Sequence, residues 1–392
     1  MDYYHTGNSA VEFYSFDELS EEPFWGGSHT QLTDPTLYGQ YWLNLKDAQS
    51  GQIIYSRGYT TLFSEWQTTD EAKNIQKTFG ESVVMPYPRK NAVIELLSRN
   101  RNGVFEKKFE YMFLISDPNI NRKSGNDFPV YEAYLSGASA SCLDIVILPE
   151  GYTQNEMDRF RKDCEVFARE LISYSPYSEY KDKINIRGVL APSAESGTDQ
   201  PAKNIWKNTL LNSRFSTFGL DRYCMTHDFK TIRNIASNAP YDQIYILVNS
   251  SDYGGGSIFN HYSLSVNSNA SAGKIFIHEL GHGFAGLADE YFNTEIAYND
   301  FYNLSIEPWE ANITTLVEFE TKWKSLLEVQ TPVPTPPTEE FTGTTGVFEG
   351  GGYAAKGIYR PAYDCLMNTF RSNTFCPVCQ QTIRKMLELY TQ

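Results

Sequence analysis

The chain has 392 residues, 41% of them hydrophobic, so it can bury a sizeable core, and its length suggests two domains. Its formal charge of −15 at pH 7 excludes nucleic acid as a partner, because phosphates would be repelled, and disfavours anionic membranes. No run of about 18 apolar residues occurs, so no transmembrane helix is expected. Met1 to Asn8 lack a basic start and an apolar run, so no signal peptide is visible. Polar loops rich in Asn, Ser, Thr and Tyr nevertheless fit a secreted or cell-envelope protein better than a cytosolic one.

In chain order, residues 1–118 read as an all-β domain. Tyr38 to Leu45 and Gly51 to Tyr59 are strand-like around the turn residues 46–50, and Ala92–Leu97 and Phe105–Ile115 flank the favoured hairpin turn Asn102-Gly103. Phe109, Tyr111, Phe113 and Ile115 suggest that the last of these strands is mainly buried. Short strands with regular turns predict a sandwich serving as a structural or docking module. Residues 119–139 are polar and rich in turn formers, and read as a linker.

Residues 140–392 read as an α/β (α+β) domain. Leu143–Leu148, Ile184–Leu190 and Tyr241–Val248 are predicted strands, the last apolar throughout and hence central. Glu156–Ile172 is a predicted helix with Phe160, Cys164, Phe167, Ala168 and Leu171 on one face. Tyr253-Gly254-Gly255-Gly256-Ser257 lacks the lysine of a phosphate-binding loop. Residues 331–346, with Pro332, Pro334, Pro336 and Pro337, predict an exposed insertion.

The chemistry concentrates in His278-Glu279-Leu280-Gly281-His282. Residues four apart share a helix face, so both imidazoles can grip one metal ion with Glu279 beside it as general base, the H-E-x-x-H arrangement of zinc peptidases. Only six histidines occur, at 5, 29, 227, 261, 278 and 282, which makes a chance pairing around a glutamate unusual. Gly281 and Gly283 are poor helix formers and suggest close packing against this helix. A catalytic zinc takes three protein ligands. Gly286 would end the helix, and Asp289 and Glu290 then compete for the third place, because alternate side chains of an extended segment point opposite ways.

The segment His278 to Tyr291 resembles a metzincin zinc site, and is similar to the bacterial metallopeptidases of the immunoglobulin A peptidase family. It departs from the common metzincin pattern by one extra residue between His282 and the glycine, and by aspartate in place of histidine. The resemblance spans residues 142–392 and is concentrated in 275–291 and 349–379. It implies Asp289, three residues after Gly286, as third ligand of Zn²⁺. It also implies a methionine turn at Asp364-Cys365-Leu366-Met367-Asn368, with Met367 packed under the metal. Residues 253–257 would form the cleft's upper rim, a separate β domain would precede the catalytic one, and Tyr359 or Tyr363 would stabilise the oxyanion. Arg360 could pair with Asp289, Glu290 or a substrate carboxylate.

Cys365, Cys376 and Cys379 cluster around that turn. A Cys-x-x-Cys can bind structural zinc, as in archaemetzincins, whose tail this one resembles. That site has a cysteine directly after the third catalytic ligand, and Glu290 stands there here, so a disulfide from Cys365 to Cys376 or Cys379 is the expectation. The function expected is zinc-dependent endopeptidase action on a protein or peptide, with host glycoproteins or immunoglobulin among the substrates the resemblance suggests. A zinc amidase or exopeptidase, or a non-catalytic binding or adhesion protein, are the alternatives.

Overall fold

The computed structural model describes residues 1–123, 127–292 and 301–392. The N-terminal part builds β1 (Asp2–Gly7), β2 (Glu12–Glu18), β3 (Ser20–Glu21), β4 (Tyr41–Asp47), β5 (Ile53–Tyr59), β6 (Lys77–Ser82), β7 (Ala92–Arg99), β8 (Phe105–Phe113) and β9 (Asn121–Arg122). Order β2-β1-β6 makes one antiparallel sheet and β5-β4-β7-β8 another, while β3 and β9 form a small parallel pair. Tyr3 of β1, Leu43 and Leu45 of β4, and Ile94 and Leu96 of β7 meet in one apolar cluster. The β7–β8 hairpin turns at Gly103, whose φ of 78° only glycine adopts freely.

Three expectations for this region need correction. It is not all β, because α1 (Leu62–Trp66) and α2 (Asp70–Asn74) lie between β5 and β6. Strand β8 is an edge strand, so it is half covered rather than mainly buried, and Met112 is 50% exposed. The stretch 119–139 is not wholly linker. Val130–Tyr134 forms β10, which pairs antiparallel with β12 (Ile184–Val189) at the border of the largest sheet.

That sheet has the order β10-β12-β11-β13-β15-β14, with β11 (Leu143–Glu150), β13 (Gln243–Val248), β14 (Gly255–Ile258) and β15 (Tyr262–Val266). β12, β11, β13 and β15 are mutually parallel, and β14 closes the far edge antiparallel to β15. β11 and β13 are buried throughout, and mostly apolar, because both faces are covered. Side chains alternate across a strand. Ile145, Ile147, Tyr245 and Leu247 therefore face α3 (Met157–Ser173), α5 (Ala272–Ala285) and α6 (Pro377–Thr391). Val146, Leu148, Ile244 and Ile246 face α4 (Phe229–Ala236) on the other side.

The predicted α3 face forms as expected, with Phe160, Cys164, Phe167, Ala168 and Leu171 all buried. Each large apolar side chain there contributes about 1.5–3 kcal/mol. Leu62, Phe63 and Trp66 of α1 join the α4-side cluster, so the N-terminal part shares a core with the large sheet. The Pro-rich stretch 331–346 is not simply exposed. Thr335 is buried and exchanges two 2.8 Å hydrogen bonds with Val347. Hairpin β16 (Phe348–Gly351) and β17 (Ala354–Arg360) then leads to the Met367 turn and α6. The whole is a mixed α/β fold with several sheets and few helices.

Candidate active site

Helix α5 carries His278, Glu279 and His282, and Gly281 and Gly283 beside them are explained by packing. A Cβ on Gly281 would lie 3.0 Å from Met367 Sδ, and one on Gly283 would lie 2.1 Å from Ser263 Oγ. Each glycine weakens a helix by about 1 kcal/mol relative to alanine, so close approach outweighs propensity here. The helix stops at Gly286, left-handed at φ 61°, where Leu287 N–H donates back to Gly281 O at 3.2 Å. Leu287 and Ala288 then run towards Asp289. Asn312 clamps this run through both its amide atoms, to Ala288 N–H at 2.8 Å and Ala288 O at 2.9 Å.

The two imidazoles are oriented by backbone carbonyls. His278 Nδ1 meets Leu366 O at 3.0 Å and His282 Nδ1 meets Leu287 O at 2.5 Å. A carbonyl only accepts, so both Nδ1 atoms carry a proton and both Nε2 atoms are turned towards one point. Those Nε2 atoms stand 3.1 Å apart, and Asp289 Oδ1 lies 3.2 Å from one and 3.3 Å from the other. Tetrahedral ligands on bonds of about 2.0 Å are about 3.3 Å apart. Asp289 Oδ1 is buried and has no hydrogen-bond partner among the described residues. Burial alone would lower His282, yet the adjacent Asp289 carboxylate raises it to about 9. The carboxylate thus favours a positive charge beside it, and the three residues fit a metal ion.

Glu279 is 9% exposed and accepts a 3.0 Å hydrogen bond from Ser257 Oγ at Oε2. Burial raises its carboxyl, with the histidine charges opposing. Gly255 on β14 leaves room for it, since a Cβ there would sit 2.9 Å from Glu279 Oε1. Met367 is fully buried under α5, and its carbonyl accepts from Glu290 N–H at 2.8 Å. The β14 edge, Glu279, the histidines and Asp289 all line one cleft of about 1030 Å³. Residues from the N-terminal part, among them Thr60, Glu65 and Arg101, line it too.

Other expectations fail. Tyr359 and Tyr363 do not line the cleft: Tyr359 is tied into β17 by backbone bonds to Thr314, and Tyr363 is 37% exposed beside Phe348. The cleft instead holds Tyr253, Tyr291 and Tyr353 with Arg222. Tyr353 Oη donates to Asp289 Oδ2 at 2.6 Å, and Arg222 Nη2 reaches Tyr291 Oη at 3.5 Å. Tyr291 had a usable signal, because it lies two residues from Asp289 on an extended run; Arg222 and Tyr353 had none. Arg360 is buried and donates to Gly350 O at 2.6 Å rather than pairing with Asp289. The expected disulfide is not formed. All six cysteines are free, and Cys365 Sγ and Cys379 Sγ are 3.9 Å apart with Glu290 beside them.

A pair of oriented histidines and a carboxylate beside a buried glutamate, in an open cleft, is the arrangement of metal-dependent hydrolases. Residues 132–344 and 337–387 match the family described as IgA Peptidase M64, and residues 1–110 match Peptidase M64 N-terminus. The chain belongs to this family of metallopeptidases, whose substrates are proteins or peptides. No curated protein matches it. No helix among the described residues is long and apolar enough to cross a membrane.

Proposed function

We propose that the chain is a zinc-dependent endopeptidase with His278, His282 and Asp289 as metal ligands and Glu279 as general base. The observation that carries this reading is the convergence of the two histidine Nε2 atoms and an orphaned Asp289 oxygen, 3.1–3.3 Å apart, beside Glu279. Zinc held there would supply Lewis acidity towards a water and a peptide carbonyl. Glu279 accepts the proton of the attacking water and passes it to the leaving amine. Ser257 holds the carboxylate in place.

β14 is the last strand of the large sheet; Cys224 N–H already donates to Gly255 O at 3.4 Å, and the edge beyond that contact is the part suited to pairing with an extended substrate backbone. Gly255 and Gly256 keep the strand close to its own neighbours, Glu279 on one side and Met225 and Tyr223 on the other. Arg222 and the cleft tyrosines are the donors placed to meet the negative charge that develops on the carbonyl oxygen. Met367 packed under the histidine helix and the edge strand over the cleft support a metzincin-like catalytic part, with the two N-terminal sheets as a sandwich before it. A secreted or envelope location belongs to the same reading. The test is cleavage of a peptide library blocked at both ends, with chelator and after zinc addition. Internal cleavage that chelator abolishes and zinc restores supports an endopeptidase. Cleavage only of peptides with a free terminus favours the exopeptidase, with Arg222 gripping the substrate carboxylate.

A further inference from the structure

We infer that Glu290, Cys365, Cys376 and Cys379 bind a second metal ion, zinc by the chemistry of the donors, at a closed structural site behind the catalytic one. All four residues are buried, and one ligand atom from each lies within 4.8 Å of the others. Tetrahedral zinc has bonds of about 2.3 Å to sulfur and 2.0 Å to oxygen, giving sulfur–sulfur edges of about 3.8 Å and sulfur–oxygen edges of about 3.5 Å. Cys365 Sγ and Cys379 Sγ are 3.9 Å apart, and Glu290 Oε1 lies 3.2 Å from Cys379 Sγ and 3.9 Å from Cys376 Sγ.

The alternatives leave groups unserved. A disulfide would use two of the three sulfurs and leave the third buried beside a carboxylate whose Oε1 accepts from Asn312 Nδ2 at 3.0 Å. Glu290 Oε2 has no hydrogen-bond partner among the described residues. Arg360, whose charge acts on Glu290, donates instead to the carbonyls of Glu349, Gly350 and Tyr363. A bound cation satisfies all four groups at once. The backbone is also set for thiolates. Cys376 N–H points at Cys365 Sγ at 3.2 Å, and Cys379 N–H points at Cys376 Sγ at 3.5 Å. Cys376 caps the N-terminus of α6, where the helix dipole favours negative charge. Three thiolates select a soft metal over magnesium or calcium, and four protein ligands leave no open position for water.

The expectation of a cysteine at position 290 obscured this site. Asp289 and Glu290 are neighbours on an extended run, so they point opposite ways, one into each cluster. The second ion would join three segments: the run after α5, the Met367 turn and the start of α6. It would thereby hold the peptide that presents Asp289 to the first site.

The test is metal content and zinc-edge X-ray absorption on the full chain, purified with zinc under reducing conditions. Wild type is expected to hold two zinc ions, with a sulfur shell at about 2.3 Å beside the nitrogen and oxygen shell. The double variant His278→Ala/His282→Ala is expected to keep one zinc in a sulfur-dominated shell, whether or not the catalytic reading holds. Cys379→Ser is expected to lose that shell. Should Cys379→Ser fail to fold, the wild-type spectrum decides. A wild type with one zinc and only nitrogen and oxygen neighbours would overturn the inference, as would a Cys365 disulfide found by peptide mapping of that reduced, zinc-loaded protein.

Discussion

Asp289 shows how one side chain depends on its surroundings. One oxygen faces the histidines and the other accepts from Tyr353 at 2.6 Å. Groups that orient a metal ligand commonly account for 10–100-fold in affinity. Tyr353→Phe is therefore expected to weaken the catalytic zinc about tenfold, and Asp289→Ala to weaken it far more, both read by competitive metal titration. Unchanged affinity in Asp289→Ala would remove it from the ligand set. The histidines and Glu279 were legible because a helix places residues four apart on one face. Asp289 was legible only through the glycine that ends the helix. Tyr353 lies 64 residues further along, and its arrival at Asp289 depends on how hairpin β16–β17 packs, which no local pattern encodes.

At the scale of elements, the end of α5 and the anchoring of α6 position the site. Gly286 is left-handed at φ 61°, and a Cβ there would lie 2.8 Å from the Trp309 ring. An L-residue in that conformation costs about 1–2 kcal/mol before any clash. Gly286→Ala should lower stability by at least about that much in urea titration and weaken metal binding, because Asp289 follows from this turn. α6 is tied to the segment before β12 by Arg384, which donates twice to Glu179 at 2.8 and 2.9 Å. That contact first of all, with Ser175, holds the Glu179 carboxyl down at about 2. A depressed carboxyl contributes stability above its unfolded value near 4.5 and loses it as pH falls towards 2. Both side chains are more than a third exposed, so the effect is at most about 1 kcal/mol. Arg384→Gln should thus lower the melting temperature slightly at neutral pH, with the gap closing below about pH 4. A gap constant with pH would contradict this. The strands of the large sheet were legible from their continuous apolar runs, whereas β10 was missed because an edge strand is short and half polar.

For the whole molecule, the main surprise is the shared core. The sequence reads as an N-terminal domain followed by a catalytic one, and Leu62, Phe63 and Trp66 of the first are fully buried with Val146, Ile244 and Ile246 of the large sheet. A composition shift near residue 119 marks the chain path and carries no information about which apolar faces meet. Trp66→Ala should cost about 3–5 kcal/mol, and the full chain should unfold in one transition that this substitution shifts as a whole. Two transitions, with only one shifted, would restore independent domains.

The central proposal is that Glu279 moves the proton in a zinc-dependent hydrolysis of peptide bonds. Its most direct test compares zinc-loaded wild type with Glu279→Gln on the same blocked peptides, with metal content measured on both. Glutamine keeps size and cannot accept the proton. The prediction is equal zinc and an equal melting temperature, with hydrolysis reduced about 10²–10⁴-fold. Undiminished hydrolysis in Glu279→Gln, or a wild type with full zinc that cleaves nothing, would contradict it.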